Sequence, residues 1–227
     1  DEGAAIIDVG GESTRPGHIQ ITEDEEIARV TPVIEQLKKR FDVPVSIDTY
    51  KSRVAEAALQ SGADLVNDIW GLKYDENMAE VIARHQAACC LMQNREQIDY
   101  TDYVEDVLDD LRESVQIAKA ADIPDDRIML DPGVGFGKTY EMNLEIIRVV
   151  GRLKELGYPV LLGTSRKSVI GLTLDLPADQ REEGTLVTTV LGVEQGCSFV
   201  RVHDVEANAR AIRMAEAIFR EHDLAVR

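Results

Sequence analysis

The feature that most constrains the fold is a regular alternation of short apolar runs with longer helical patterns. The chain contains seven such runs, rich in β-branched and other apolar residues, and polar residues follow nearly every one. They occupy residues 5–9, 43–47, 65–67, 88–92, 128–130, 160–162 and 199–202. Because the runs are apolar throughout, they are typical of strands in a parallel sheet that is covered on both faces.

Helical patterns separate these runs, at residues 23–40, 52–61, 77–85, 103–121, 143–156, 182–195 and 206–221. Thr22 is the predicted N-cap of the first helix, since its hydroxyl can accept a hydrogen bond from the first turn. Gly62, Gly157 and Gly196 each stand between a helical pattern and the next apolar run. Glycine in this place is typical of a left-handed helix cap, so the sequence predicts repeated αβ junctions.

Seven parallel strands fit either an open doubly wound sheet or a (β/α)8 barrel with one strand unaccounted for. Residues 1–4 have the pattern of a last helical turn that runs into a strand, and this favours the barrel. We therefore predict an α/β fold, a (β/α)8 TIM barrel whose first strand is missing from the given chain. Since no linker or repeat divides the sequence, we expect one domain over residues 1–227.

Composition argues against several classes of function. Asp and Glu number 42 against 25 Lys and Arg, and the net charge of −17 disfavours nucleic-acid binding, which depends on basic patches. No apolar run approaches the ~20 residues of a membrane span, and the N-terminus lacks signal-peptide character. Three cysteines, Cys89, Cys90 and Cys197, make no even disulfide framework, so we expect reduced thiols and a cytoplasmic location.

Polar residues after the apolar runs are informative, because a barrel binds its ligand at the carboxyl ends of its strands. Four cationic residues stand there and predict a site for phosphate or pyrophosphate: Arg15, Lys167, Arg201 and His203. Three acidic or amide residues suit a flat heterocycle with several N–H donors: Asp48, Asn67 and Asp131. Helix capping explains a single strand-end Asp or Asn about equally well, and we assign Thr49, Asp68 and Asp204 to that role.

Metal and nucleophile motifs are sparse. The chain has no HExxH, no CxxC pair and no EF-hand spacing, so no transition-metal cage is predicted. Mg²⁺ held jointly by a pyrophosphate and one or two protein oxygens leaves little trace in a sequence. The segment "GTSRK" lacks the G-x-S-x-G pattern, and no visible motif pairs Ser165 with a base.

The segment "DPGVGFGKT", residues 131–139, resembles a phosphate-binding loop but does not match one. That loop requires G-x-x-x-x-G-K-[ST], and Pro132 stands where the first glycine belongs. Gly133, Gly135 and Gly137 also fail the G-x-G-x-x-G spacing. We interpret the segment as a strand that ends in Asp131, followed by a glycine loop able to approach a flat ligand closely.

Together these residues resemble the bacterial dihydropteroate synthases of folate biosynthesis, which are pterin-binding barrels. The matching motifs, in order along the chain, are "IIDVGGESTRPG", "SIDTYK", "NDIWG", "LDPGVGFGKT", "LLGTSRKSVIG" and "RVHDV". The resemblance implies condensation of p-aminobenzoate with 6-hydroxymethyl-7,8-dihydropterin pyrophosphate, with release of pyrophosphate. It also implies a homodimer, and Mg²⁺ as cofactor. The family's Mg²⁺-binding asparagine lies in the missing first strand, so no metal ligand is assigned here.

The resemblance also implies individual roles. The expected pterin-binding residues are Asp48, Asn67, Met92, Asp131, Phe136, Gly163, Lys167 and Arg201. Pyrophosphate is expected at Arg15, Arg201 and His203, and p-aminobenzoate at Thr14, Arg15, Pro16, Lys167 and Ser168. Asp48, Lys167 and Arg201 are the expected catalytic residues, with Asp48 favouring a positive charge that develops on the pterin methylene.

Two departures from the family are visible. Gln93 follows Met92 where many members carry histidine, so a histidine role cannot be transferred, and the family's first strand and the loop after it are missing from the given chain. A pterin-binding methyltransferase of the same superfamily is the first alternative, although it would not need the lysine of "TSRKS" or the anion site of "RVHD". A non-catalytic pterin-binding barrel is the second. A nucleotide triphosphatase, suggested by the glycine loop, is the third.

Overall fold

The computed structural model describes residues 2–13 and 19–219, in which seven strands alternate with eight α-helices. The strands are β1 (Ile7–Gly10), β2 (Val45–Asp48), β3 (Leu65–Asp68), β4 (Ala88–Met92), β5 (Ile128–Asp131), β6 (Leu161–Leu162) and β7 (Phe199–Val200). The helices are α1 (Glu23–Arg40), α2 (Ser52–Gln60), α3 (Met78–Arg84), α4 (Tyr103–Ala120), α5 (Tyr140–Arg148), α6 (Ser168–Leu174), α7 (Glu182–Glu194) and α8 (Val205–Phe219). All seven predicted strands are confirmed, with ends that differ by up to two residues.

The strands follow one another in parallel around the sheet. β1 to β5 pair in sequence order, β6 pairs with β7, and a single bridge between Leu130 and Val160 joins the two groups. Within the described residues β1 and β7 are not paired with each other. A cavity of about 540 Å³ lies between them, lined by residues of both strands and of α8.

Local chemistry explains where the helices begin and end. The Thr22 hydroxyl accepts a hydrogen bond from Glu25 N, which confirms the predicted N-cap of α1. Acidic residues fill the first turn of this helix and basic residues its last turn, as the helix dipole favours. Gly62, Gly157 and Gly196 have φ of 107°, 83° and 81°, so the predicted left-handed caps are confirmed.

The predicted helix over residues 143–156 is wrong in its bounds. It consists of α5 and a separate 3₁₀ segment, Val150–Leu156. The amide of Gln195 lies between them: its Nε2 donates to Ile147 O at 3.1 Å, and its Oε1 accepts from Gly151 N at 3.0 Å. These two backbone groups would bond to each other in a continuous α-helix, so the side chain replaces one helical hydrogen bond. Helix α6, Ser168–Leu174, was not predicted.

The main core lies between the strands and the surrounding helices. Its fully buried side chains include Ile34 of α1, Ile47 of β2, Leu91 of β4 and Leu108 of α4. Cys89 and Cys90 are buried and all three cysteines are free, as expected. None of the helices in the described part of the chain is long and apolar enough to cross a membrane.

Candidate active site

The carboxyl ends of the strands bring most of the predicted site residues together. Asp48 and Asp131 are the last residues of β2 and β5, and Asn67 is the second-last residue of β3. All three are at most 8% exposed. Residues that follow β6 and β7 complete the rim: Gly163, Lys167, Arg201 and His203 all line the cavity with Asn67.

Arg201 joins two carboxylates at this rim. Its backbone N donates to Leu162 O at 3.1 Å, which continues the pairing of β6 with β7 beyond the strand ends. Its guanidinium donates to Asp48 Oδ2 at 3.0 Å and to Asp8 Oδ2 at 2.6 Å. The Arg201 side chain remains 45% exposed, whereas that of Asp48 is 7% exposed. An exposed part of the guanidinium is therefore available beside the buried Asp48 and the partly buried Asp8.

Asp8 is a residue that the sequence analysis missed. It lies inside the apolar run of β1, where its only signal is a carboxylate among aliphatic residues. Asp8 Oδ1 and Asp48 Oδ1 are both buried without a hydrogen-bond partner in the described structure. Burial first, and the neighbouring Asp8 carboxylate second, raise the pKa of Asp48 to about 7, although Arg201 opposes the shift.

Asp131, the last residue of β5, lies close enough to Lys167 and Arg201 for their charges to act on its carboxyl group. Gly133 N donates to its Oδ1 at 2.7 Å. A Cβ at Gly163 would lie 3.6 Å from Asp131 Oδ2 and 3.9 Å from Arg201 Cβ, so glycine there leaves room beside the carboxylate. Burial raises the pKa of Asp131, and the positive charge of Lys167 opposes this increase.

Lys167 approaches Asp131 from the turn after β6. Its Nζ donates to Val134 O and lies 4.9 Å from the centroid of the Phe136 ring. Burial lowers the pKa of Lys167 to about 8, against the attraction of Asp131. The guanidinium of Arg181 donates to the carbonyl oxygens of Arg166 and Lys167, which fixes the turn that carries the lysine.

Met92 and Phe136 supply an apolar wall. They pack in a small cluster with Tyr50, Ile69 and Trp70, separate from the main core. Met92 is 4% exposed, and Phe136 is partly buried. The site thus combines one apolar wall, buried carboxylates and a basic rim, which is the composition expected for a flat polar ligand that carries an anionic group.

The glycine loop is shaped by close packing against the segment after β4. Gly133, Gly135 and Gly137 all have positive φ, at 70°, 87° and 55°. A Cβ at Gly133 would lie 1.9 Å from Gln93 O, and a Cβ at Gly137 would lie 2.5 Å from Arg95 O. Both the conformation and the contacts therefore require glycine.

The Gly-Lys-Thr ending of this loop has structural contacts. Thr139 caps α5, since its hydroxyl accepts from Met142 N at 3.2 Å. Lys138 Nζ turns inward and donates to Gln93 Oε1 and to Phe136 O. Gln93 in turn donates to Asp110 Oδ2 at 2.8 Å. Neither Lys138 nor Thr139 faces an open phosphate cradle, which argues against the triphosphatase interpretation.

Two glycines allow a matched test of the loop geometry. We expect Gly133→Ala to lower the free energy of unfolding by about 3 kcal/mol or more. Alanine would have to adopt the left-handed conformation at φ of 70°, and its Cβ would also clash with the backbone oxygen of Gln93. Gly157→Ala, with φ of 83° and nothing within 4 Å of its Cβ, is expected to cost only about 1 kcal/mol. Urea unfolding of both variants measures the difference, and equal losses would contradict the packing argument.

The remaining predicted residues lie at the edge of the site or outside the described chain. Ser168 is the first residue of α6 and is exposed. Thr14, Arg15 and Pro16 fall outside the described residues. His203 Nδ1 lies 2.8 Å from Ser165 Oγ, so the structure places a base beside Ser165 that no sequence motif indicated. The two residues stand 38 positions apart, and no local motif could reveal the contact.

A buried ion cluster joins Glu12, just after β1, to Lys51 and to Glu26 of α1. Lys51 Nζ donates to Glu12 Oε2 at 2.7 Å and to Glu26 Oε2 at 2.8 Å. Glu12 also accepts from Ile21 N at 2.7 Å. Burial raises the pKa of Glu12, but hydrogen bonds from Lys51 and Tyr50 outweigh it and lower the pKa to about 2.

Comparison with known proteins identifies the family of this chain. Residues 1–203 match the family model described as "Pterin binding enzyme". Dihydropteroate synthase of Clostridium beijerinckii is 58% identical over 97% of this chain and 82% of that protein.

Solved structures of the same family are also similar to this chain in fold and sequence. Dihydropteroate synthase of Clostridium difficile, crystallised in the presence of pteroic acid, superposes with a TM-score of 0.95 at 52% identity, over 97% of this chain and 84% of that one. The Xanthomonas albilineans enzyme with 4-aminobenzoic acid gives 0.92 at 38% identity, over 96% and 80%. These are TIM barrels, so the predicted fold class is confirmed. The chain therefore belongs to the pterin-binding enzyme family, as a dihydropteroate synthase.

Proposed function

We propose that the residues at this barrel rim carry out the dihydropteroate synthase reaction in distinct roles. One observation carries the proposal: Arg201 bonds to the buried Asp48 and the partly buried Asp8, remains partly exposed at the rim, and lies close to Lys167 and Asp131. A relative's complex with pteroic acid and another's with 4-aminobenzoic acid support the same substrates for this chain.

The acidic mouth binds the pterin. Asp131 accepts hydrogen bonds from the pterin amino and ring N–H groups, and Asn67 and Asp48 hold other ring edges. Lys167 contacts the pterin oxygen, and the guanidinium of Arg201 stacks on one ring face. Three further residues line the pocket: Met92, Phe136 and Gly163. The buried Asp131 carboxylate supports this role, because two N–H donors would replace the water that burial removes.

The basic rim binds the pyrophosphate. Arg201 and His203 follow β7 and line the cavity, where they complement a phosphate charge. Arg15 is proposed as a third ligand from the segment beyond β1. Since the net charge of the chain is −17, attraction of the substrate depends on this local cluster.

The reaction forms a negative charge on the pyrophosphate and a positive charge on the pterin methylene, and the site has groups that stabilise each. The bond between the pterin methylene carbon and the pyrophosphate oxygen breaks, and its electron pair leaves with the pyrophosphate. Arg201 and His203 neutralise the leaving group, while the Asp48 carboxylate favours the positive charge on the methylene. The amine of p-aminobenzoate then forms the new C–N bond and loses a proton to solvent.

The p-aminobenzoate site is proposed at the junction of two segments. Lys167 and Ser168 supply one side, at the start of α6. Thr14, Arg15 and Pro16 supply the other side. The cluster of Lys51 with Glu12 and Glu26 supports this assignment, since it fixes Glu12, two residues before Thr14.

Mg²⁺ is the proposed cofactor. It prefers oxygen ligands and keeps several from water and substrate phosphates. Among the described residues no three His, Cys, Asp or Glu side chains are grouped to hold a metal ion. The buried Oδ1 atoms of Asp8 and Asp48 have no hydrogen-bond partner in the described structure, so they fit a site shared with pyrophosphate. Bound there, the ion would neutralise leaving-group charge.

The assembly and location are also proposals. We infer a homodimer, supported by apolar side chains that remain about 60% exposed on neighbouring helices: Val187 on α7, and Met214 and Ile218 on α8. We infer a single domain over residues 1–227, supported by a core that spans strands and helices from α1 to α6. Three free cysteines support a reducing cytoplasm.

The pH dependence of kcat/KM for the pterin pyrophosphate tests these roles. Asp48, with a pKa of about 7, is protonated at lower pH, so activity is expected to rise as it ionises. Lys167, with a pKa of about 8, loses its charge at higher pH, so activity is expected to fall again. A maximum between these two values is the expected result. A profile that stays level from about pH 6 to 9 would contradict the assignment of both residues.

A further inference from the structure

We infer that Ser165 is a positioning residue that fixes the tautomer of His203, so that Nε2 carries the ring proton and offers a donor to an anion at the rim. The structural part of this inference depends only on the contact between the two residues. The identity of the anion rests on the proposed function, in which His203 binds the pyrophosphate group.

Two hydrogen-bond contacts join the residues. Ser165 Oγ lies 2.8 Å from His203 Nδ1. The backbone N–H of His203 also donates to Ser165 Oγ, at 3.1 Å. Ser165 is 7% exposed, whereas His203 is an exposed residue. The serine hydroxyl therefore contacts the same histidine through both the ring and the main chain.

The donor and acceptor capacities of the hydroxyl decide the direction of the ring contact. A serine hydroxyl has one proton to donate and two lone pairs to accept with. The His203 backbone N–H uses one lone pair. Within the described structure, Nδ1 is the only acceptor within hydrogen-bond distance of Oγ. If Nδ1 carried the proton instead, the buried hydroxyl proton would have no partner, which is costly.

In the neutral ring the proton therefore resides on Nε2. The hydrogen bond made by one ring nitrogen commonly determines the state of the other, and here Ser165 uses Nδ1 as an acceptor. A ring of the opposite tautomer would present a lone pair at Nε2 and repel an oxyanion. The serine thus makes Nε2 a hydrogen-bond donor without requiring a charged ring.

Contacts of the neighbouring residues hold the segments that carry Ser165 and His203 next to each other. Leu162 and Val200 are partners in the β6–β7 ladder, so the segments that follow these strands leave the sheet side by side. The side chain of Arg166 bonds to both oxygens of Asp204, at 2.5 and 3.2 Å, immediately after the serine and the histidine in the chain. Arg181 also donates to Arg166 O at 2.9 Å. The strand pairing before Ser165 and His203 and the contact of Arg166 with Asp204 after them therefore both stabilise the position of the pair.

The test is ¹⁵N NMR of the histidine side chains in the full-length protein at a pH where the rings are neutral. His203→Gln assigns the signal, since the chain has 4 histidines. We expect a pyridine-type shift at Nδ1 and a pyrrole-type shift at Nε2 in the wild type. The opposite pattern in the wild type would overturn the inference, whatever the variants do.

Two variants extend the test to binding. Ser165→Ala is expected to mix the tautomers and to weaken inorganic pyrophosphate binding about tenfold, as for one lost donor. Ser165→Thr keeps the hydroxyl and should restore both. An alanine variant with wild-type shifts and affinity would refute the positioning role. Failure of the wild type to bind pyrophosphate would instead count against the proposed function, while the ring shifts still decide the tautomer.

Discussion

Replacing Asp131 with asparagine is expected to weaken binding of the pterin pyrophosphate by about 100-fold or more. The carboxylate is 5% exposed, and Gly133 N already occupies its Oδ1. In the proposed role its remaining acceptor sites face N–H donors of the pterin. An asparagine amide would turn N–H groups toward those donors and leave buried polar groups unpaired on both partners, an effect of roughly 2–3 kcal/mol. Isothermal titration of the variant with the pterin substrate measures the loss.

Asp68 provides a matched control for this experiment. It is also buried at the end of a strand, with 1% exposure, and burial raises its pKa to about 6. Its oxygens accept from Trp70 N at 2.9 Å and from Leu72 N at 2.8 Å, so Asp68 stabilises its own turn. The predicted helix-capping role is wrong for Asp68, because the next helix begins only at Met78. Asp68→Asn should therefore lower the melting temperature and leave the pterin Kd unchanged. If both variants lose affinity equally, Asp131 has no specific role in recognition.

Asp48→Asn is expected to lower kcat about 100-fold to 1,000-fold while the pterin Kd changes less than about fivefold. The neutral amide can still hold a ring edge, but it cannot favour a positive charge on the methylene carbon. Loss of one preorganised electrostatic group commonly reduces turnover on this scale. Because the interaction strengthens only in the transition state, kcat and kcat/KM should fall together. Single-turnover rates and titration separate the two quantities, and equal losses in affinity and turnover would count against this role.

The same variant should be more stable than the wild type at pH 8. Burial raises the pKa of Asp48 in the folded protein above its ordinary value, to about 7. The folded state therefore binds more protons than the unfolded state between about pH 4 and 7, and the stability of the wild type falls as pH rises through that range. Asparagine removes this penalty. The gain in melting temperature should be present at pH 8 and shrink toward pH 5, which calorimetry at both values can measure.

The sequence predicted the fold well because its signals were local. Apolar runs, strand-end polar residues and the caps at Gly62 and Gly196 depend on a few neighbouring positions. The break after α5 was not predictable in this way. It depends on Gln195, which reaches 44 residues back along the chain to Gly151. Helix α6 was missed because it is short, with seven residues, and because its N-cap residue, Lys167, makes no side-chain hydrogen bond to the first turn.

The site was predicted in part, for a similar reason. Residues at strand ends, such as Asp48 and Asp131, could be found because parallel strands place their carboxyl ends at one rim. Asp8 could not be found, since it stands within an apolar run and its contact is with Arg201, 193 positions away. The inward contact of Lys138 with Gln93 was equally invisible, because the two residues meet only through tertiary packing.

The central claim is that this rim joins the two substrates and releases pyrophosphate. The most direct measurement is pyrophosphate release by the full-length protein with the pterin pyrophosphate, p-aminobenzoate and Mg²⁺. The expected result is one pyrophosphate for each dihydropteroate formed, with release that requires p-aminobenzoate and is lost in Asp48→Asn. Binding of both substrates by the wild-type protein without any release of pyrophosphate would contradict it.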